Sequence, residues 1–174
     1  MRRLVEDLLV LSRLELGQQV VLEPVMAQRV VEKVLAGMGP TQGNRSMQMQ
    51  IEPDLPPIAA EPTFMEQVLR NLLNNSDKYS PPGSPIEVKV ASTPDGEVEI
   101  SVLDRGVGIA PEEVERIFEP FYRAPGTART KGGMGIGLTV CRRLTEAQSG
   151  RIWARPRPGG GVEIGFTLQQ DQDE

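Results

Sequence analysis

The sequence predicts an α+β fold, a two-layer α/β sandwich with helices on one face of a mixed, mostly antiparallel sheet. Three observations point there. Stretches with helical apolar spacing are interleaved with short alternating ones, and two of the alternating ones are joined by a tight turn. The 18 glycines and 15 prolines in 174 residues are too many for an all-helical bundle. Hydrophobic residues make up 39% and charged residues 25%, a balance that buries one core and fits one domain with at most a short appendage.

The elements follow in order. Residues 2–16 read as an amphipathic helix, with Leu4, Leu8 and Leu11 in a 4-3 spacing, Val5 and Leu9 beside them, and Gly17 as the stop. Its stripe is expected to be the end of a coiled coil or helical bundle rather than a helix packed on its own domain. A second helix is predicted from about Val25 to Met38, burying Val30, Val31, Val34 and Leu35. Residues 39–44, GPTQGN, form a loop by composition, and Met47, Met49 and Ile51 alternate as in a half-buried strand. Four prolines make 52–62 an irregular connection. Phe64, Val68, Leu69, Leu72 and Leu73 define a helix from Thr63 to about Tyr79, which Pro81, Pro82, Gly83 and Pro85 end. Ile86–Ala91 and Glu97–Leu103 alternate and are joined by the hairpin turn TPDG. A glycine-rich loop then leads into a short helix, residues 119–137 lack periodicity, and a helix spans about Ile136 to Gln148. Strands at 151–154 and 162–168 and a frayed acidic tail, 171–174, complete the chain, with Cys141 and Trp153 expected in the core.

Composition removes several kinds of chemistry. The formal net charge is -5, which argues against a nucleic-acid footprint. Histidine is absent, so Ser-His-Asp triads, Cys-His nucleophiles and His-ligated metals are excluded. A single cysteine excludes an intrachain disulfide. No run reaches the ~18 apolar residues of a membrane span and no signal peptide opens the chain, so a cytoplasmic domain or a fragment of a longer protein is expected, without membrane contact of its own.

What remains is a set of polar positions. Asn71 and Asn75 are four apart on one helical face, with Lys78 three further on. Amide oxygens suit a hard cation such as Mg²⁺ and the ammonium suits a phosphate, although a solvated helix face fits the same pattern. Asp104-Arg105-Gly106-Val107-Gly108 follows an apolar strand end: the carboxylate can accept from an exocyclic amine while glycines let a planar ring approach, or the motif is simply a tight turn. Gly132-Gly133-Met134-Gly135-Ile136-Gly137-Leu138 opens a helix, where backbone N–H groups can cradle phosphate or merely form a hinge. It is neither a Walker A loop nor a dinucleotide fingerprint. Arg123, Arg129 and Lys131 lie between the two glycine runs, within reach of a terminal phosphate if that segment is a lid.

Order and spacing go further than any one motif. QVLRNLLNNSDKYS (67–80) resembles the N box of sensor histidine kinases, DRGVG (104–108) the G1 box, IFEPFYR (117–123) the F box and GGMGIGL (132–138) the G2 box. These boxes define the ATP-binding domain of the superfamily that also holds gyrase B, Hsp90 and MutL, and the resemblance runs over about residues 24–168. It implies the Bergerat-type fold with a mobile lid, with ATP and Mg²⁺ as ligands. It also implies roles: Asn75 as Mg²⁺ ligand with Asn71 beside it, Lys78 and Arg123 at the phosphates, Tyr79 along adenine or ribose, and Asp104 accepting the adenine amine. Gly106, Gly108 and Ile109 would shape the base pocket. Gly133, Gly135, Gly137, Leu138 and Lys131 would surround the phosphates, and Thr167 would complete the site. Three of seven aromatics, Phe118, Phe121 and Tyr122, fall within five residues, where Phe118 and Phe121 would anchor the lid.

LVEDLLVLSRLELGQ resembles the end of the second helix of the dimerisation and phosphoacceptor domain, so residues 1–18 are expected to be its remnant and 19–170 the catalytic domain. Without histidine this chain cannot autophosphorylate. The implied partners are a histidine-bearing dimerisation domain of a homodimeric parent and, indirectly, a response regulator. Hydrolytic relatives carry a glutamate at position 71, whereas Asn71 cannot act as a base, and Glu66 lies about 140° round the helix. Phosphoryl transfer with little ATP hydrolysis is therefore expected. The alternatives are a serine kinase of the anti-sigma-factor type, and a nucleotide-binding module without catalysis, for which Met134 is an unusual G2-box residue.

Overall fold

The apolar stripe that follows Pro62 becomes the spine of the helical layer. The computed structural model describes residues 2–125 and 135–172. The helices are α1 (Arg2–Glu15), α2 (Ala27–Ala36), α3 (Pro62–Tyr79) and α4 (Gly137–Ala147). The strands are β1 (Glu23–Val25), β2 (Met47–Ile51), β3 (Ile58–Ala60), β4 (Ile86–Ser92), β5 (Glu97–Leu103), β6 (Arg151–Pro156) and β7 (Val162–Gln169). The Glu61 carboxylate caps α3, accepting from the N–H groups of Thr63 (3.3 Å) and Phe64 (2.8 Å), and Pro62 sits in the first turn, where no N–H is needed. Met65, Val68, Leu69, Leu72 and Leu73 recur at helical spacing and are all buried.

The main sheet has the order β2-β4-β5-β7-β6, parallel between β2 and β4 and antiparallel elsewhere. Gly96, at φ 78, closes the β4–β5 turn by donating its N–H to the Thr93 carbonyl at 3.2 Å. Period two then sends Ile86, Val88 and Val90, Val98, Ile100 and Val102, and Ile164, Phe166 and Leu168 to the helical layer. Helices α3 and α4 pack together over this face, α2 packs on α3, and α1 on α4.

Several local expectations are corrected. Val25 does not start α2; it belongs to β1, which pairs antiparallel with β3 inside the proline-rich connection expected to be irregular. Three-residue strands carry no period, and only their pairing reveals them. The short helix after the glycine loop is instead two 3₁₀ turns, Pro111–Glu113 and Arg116–Phe118. β2 is an edge strand whose Met49 is about half exposed, while Met47 and Ile51 pack against the core. Trp153 is not core: it lies opposite Gly165 on the far sheet face, with the Arg155 guanidinium 3.9 Å above its ring. The α1 stripe divides, with Leu4, Val10, Leu11 and Leu14 resting on the core and Val5, Leu8 and Leu9 about half exposed. The tail is tied at its first residue, where the Asp171 N–H donates to the Pro57 carbonyl at 2.8 Å. Among the described residues no helix is long and apolar enough to cross a membrane.

Candidate active site

β5 ends by placing Asp104 between the two layers, where it is 3% exposed. Its N–H extends the ladder to the Val162 carbonyl (3.0 Å). One carboxylate oxygen accepts from the N–H of Gly106 (2.9 Å) and of Val162 (3.3 Å), the other from the Ser76 hydroxyl (3.1 Å). Burial raises the Asp104 pKa above the usual carboxylate value, against the pull of these hydrogen bonds and of Arg157. The Arg157 guanidinium also donates to the Asp104 carbonyl at 2.8 Å. Two glycines are sterically required here. A Cβ on Gly106 would sit 2.5 Å from the Tyr79 carbonyl oxygen, and one on Gly161 (φ 97) would overlap the Asp104 carbonyl.

A cavity of about 770 Å³ opens beside this carboxylate, in the ~300–1,000 Å³ range of small-molecule sites. The expected face of α3 lines it: Asn71, Asn75 and Lys78, joined by Tyr79, whose ring centroid is 5.1 Å from the Lys78 ammonium. Gly106, Gly108 and Ile109 form the wall after β5, Gly135, Gly137 and Leu138 the wall at the start of α4, and Arg123 reaches in from the segment between. Gly135, at φ 71, accepts from the Phe121 N–H at 3.0 Å, and a Cβ there would lie 2.7 Å from the Tyr122 carbonyl oxygen, so these strands of chain run in close contact.

Not every expected residue gathers here. Thr167 is on the far face of β7, opposite Glu99 and Arg151, because period two turns it away from Phe166 and Leu168. Lys131 and Gly133, with Arg129, lie outside the described residues. Of the aromatic trio Phe118 is buried, and Tyr122 packs under Arg116 and donates its hydroxyl to Glu113 at 2.6 Å. Phe121 is 63% exposed, in a left-handed backbone conformation (φ 63), so it is not a buried anchor.

Other residues join the site without having been foreseen. Asn74 lines the cavity, and the Nδ2 atoms of Asn71 and Asn74 are buried with no hydrogen-bond partner among the described residues. Ser76 escaped notice because five residues from Asn71 is about 140° round a helix, yet that angle aims it at Asp104. Helix α1 supplies Arg3, Leu4 and Asp7. Burial raises the Asp7 pKa, and its carboxylate accepts from the Gln67 amide at 3.3 Å. Glu66 is engaged elsewhere, in a 2.7 Å ion pair with Lys33. The other acid of α3, Asp77, lines the cavity but its carboxylate is paired with Arg45 at 2.6 Å, so neither acid of α3 stands where Asn71 stands.

The arrangement is polarised. A buried acceptor closes one end, while amide donors, a lysine and an arginine line the rest, which fits a ligand with an amine at one end and negative charge at the other. The orphaned Nδ2 of Asn74 fits an anionic oxygen, whereas the Asn71 side chain lies against the buried Cys141 thiol. Among the described residues no cluster of His, Cys, Asp or Glu could hold a metal by itself, so an ion at Asn75 would draw its other ligands from phosphate and water.

Comparison with known proteins bears on the fold and the family. The adaptive-response sensory kinase SasA of Prochlorococcus marinus is 42% identical over 118 residues, covering 68% of this chain and 31% of that protein. SasA of Parasynechococcus marenigrum is 38% identical over 151 residues, covering 87% and 39%. The chain thus spans well under half the length of these relatives. The crystal structure of full-length ShkA in complex with AMPPNP superposes with a TM-score of 0.83 at 28% identity, over 97% of this chain and 36% of that one. The mycobacterial sensor histidine kinase MprB shares the fold, with a TM-score of 0.73 at 23% identity over 87% of this chain and 100% of that one. Residues 60–172, from β3 through the Asp104 pocket to the end of β7, match the family described as histidine kinase-, DNA gyrase B-, and HSP90-like ATPase, and the chain belongs to that family.

Proposed function

We propose that this chain binds Mg-ATP and transfers the γ-phosphoryl group to a histidine of a dimerisation and phosphoacceptor domain, as the catalytic part of a two-component signalling kinase. The observation that carries this reading is the buried Asp104 carboxylate facing the same cavity as the amide and lysine face of α3. Asp104 accepts the adenine amine, Gly106, Gly108 and Ile109 admit the ring, and Tyr79 lies along it. Asn71, Lys78 and Arg123 counter phosphate charge, with Gly133, Gly135, Gly137, Leu138 and Lys131 around the phosphates. Asn75 holds Mg²⁺, which when bound neutralises charge on the transferring group. Asn71 offers no base and Glu66 is tied to Lys33, which favours transfer over hydrolysis.

The acceptor imidazole comes from outside this sequence, which contains no histidine. Residues 1–18 act as the last part of the helix that joins the acceptor domain to the catalytic domain, 19–170. A homodimeric parent working in the cytoplasm and handing phosphate to a response regulator completes the proposal.

The test supplies γ-labelled ATP, Mg²⁺ and a separately purified histidine-bearing helical domain. Acid-labile, base-stable label on that domain is expected, with little phosphate released in its absence. Acid-stable label on serine would move the assignment to a protein-serine kinase, and ATP binding without transfer to any acceptor would leave only a binding module.

A further inference from the structure

Arg45 lies before the family match and plays no part in the chemistry above, yet its side chain is wholly buried in the segment leading into β2. Its guanidinium is a hub. Nε donates to the Asp77 carboxylate (2.6 Å) and Nη2 to the Asp77 carbonyl (3.0 Å). Nη1 donates to the carbonyls of Pro81 (3.2 Å) and Ser84 (2.8 Å) and to the Ser84 hydroxyl (3.1 Å). The same Asp77 carboxylate accepts from the Gln42 N–H at 3.1 Å, and the Gln42 carbonyl accepts from the Gly83 N–H at 3.1 Å. One cation therefore ties the loop before β2, the last turn of α3 and the turn after it into a single body.

That last turn carries the site. The Asp77 carbonyl is among the final carbonyls of α3, which have no intrahelical donor, and Arg45 caps it. Asp77 is flanked by Asn75 and Ser76 on one side and by Lys78 and Tyr79 on the other, all of them lining the cavity. A well-packed apolar pair would hold a loop at least as stably as a buried ion pair, so a fully engaged guanidinium is better understood as specifying one geometry. Planar, forked donors do this where a lysine cannot.

We infer that Arg45 is a positioning residue for the nucleotide site: through Asp77 it sets the last turn of α3, so that Lys78 and Tyr79 face the cavity. This rests on the nucleotide reading above. The experiment measures Mg-ATP binding by calorimetry, well below each melting temperature, for wild type, Arg45→Met, Arg45→Lys and the double variant Arg45→Met/Asp77→Leu. The fitted stoichiometry reports the folded fraction, and Kd reports the geometry of the site. Arg45→Met is expected to raise Kd about tenfold or more, a smaller effect than the roughly 100-fold that a 1 Å misplacement can cost in rate. Arg45→Lys should fall between, and the apolar double variant should recover melting temperature without recovering Kd. A lower melting temperature or stoichiometry with unchanged Kd overturns the inference, as does a wild-type Kd in the double variant. If Arg45→Met does not fold, Arg45→Lys decides by the same criterion. If wild type itself binds no Mg-ATP, the nucleotide reading fails first and this inference falls with it, whereas tight binding by wild type and variants alike removes only the inference.

Discussion

Replacing Asp104 with Asn changes one atom and inverts one function. The oxygen that accepts from Gly106 and Val162 can stay, and the new amide can donate to the Ser76 hydroxyl, which rotates to accept. Burial disfavours the carboxylate, so the neutral amide relieves that cost, and stability should stay within about 1 kcal/mol, or roughly 3 °C in Tm. Binding is different, because a donor now faces the adenine amine. Losing a charge-assisted hydrogen bond costs about 1.5–3 kcal/mol and leaves a buried donor unsatisfied, so a net loss of ~3 kcal/mol and a Kd about 100-fold weaker are expected. The pH dependence adds a second signature. A raised pKa means that the folded chain holds this proton more tightly than the unfolded chain does. The stabilising effect is complete below the ordinary carboxylate value and is lost as pH rises through the raised one. Nucleotide affinity runs the other way and falls as the carboxylate is protonated. Calorimetric titration of Mg-ATP into both proteins across this acidic range, with melting curves alongside, checks all three statements. Equal Kd values for wild type and Asp104→Asn, with both folded, would refute the assignment.

Four further outcomes follow from the geometry. Gly161→Ala forces a left-handed φ on a residue whose Cβ overlaps the Asp104 carbonyl, and should cost at least ~2 kcal/mol in urea unfolding. Gly137→Ala, with nothing within 4 Å of the added carbon at the start of α4, should be neutral or stabilising by up to ~1 kcal/mol in the same assay. Asn75→Ala should abolish the difference between ATP affinities measured with and without Mg²⁺, and a retained difference would place the ion elsewhere. Cys141 is fully buried and its thiol pKa is pushed up to about 12, so a thiol reagent at mildly alkaline pH should label it only at the rate of unfolding.

The helix α3 and the hairpin β4–β5 were legible because each declares its own period: apolar residues every three or four positions before a proline cluster, and strict alternation around TPDG. The amide and lysine face of the site was legible for the same reason, since spacing along a helix fixes which side chains share a side. Where period is absent, reading stopped. β1 and β3 are three residues each and exist through their pairing. Thr167 is the opposite case: Val162, Ile164, Phe166 and Leu168 alternate with Glu163, Gly165 and Thr167, so the period of β7 itself sets Thr167 on the face away from the site.

By itself, the chain of residues determined the helical and strand faces, the glycines beside Asp104 and the absence of imidazole chemistry, because those depend on local geometry and composition. Tertiary structure decided that Ser76 meets Asp104, that Arg157 and Gly161 close over its backbone, that α1 walls the cavity and that Arg45 grips α3. Each of those contacts joins residues at least 28 positions apart, and no local period records what will be brought together when two layers pack.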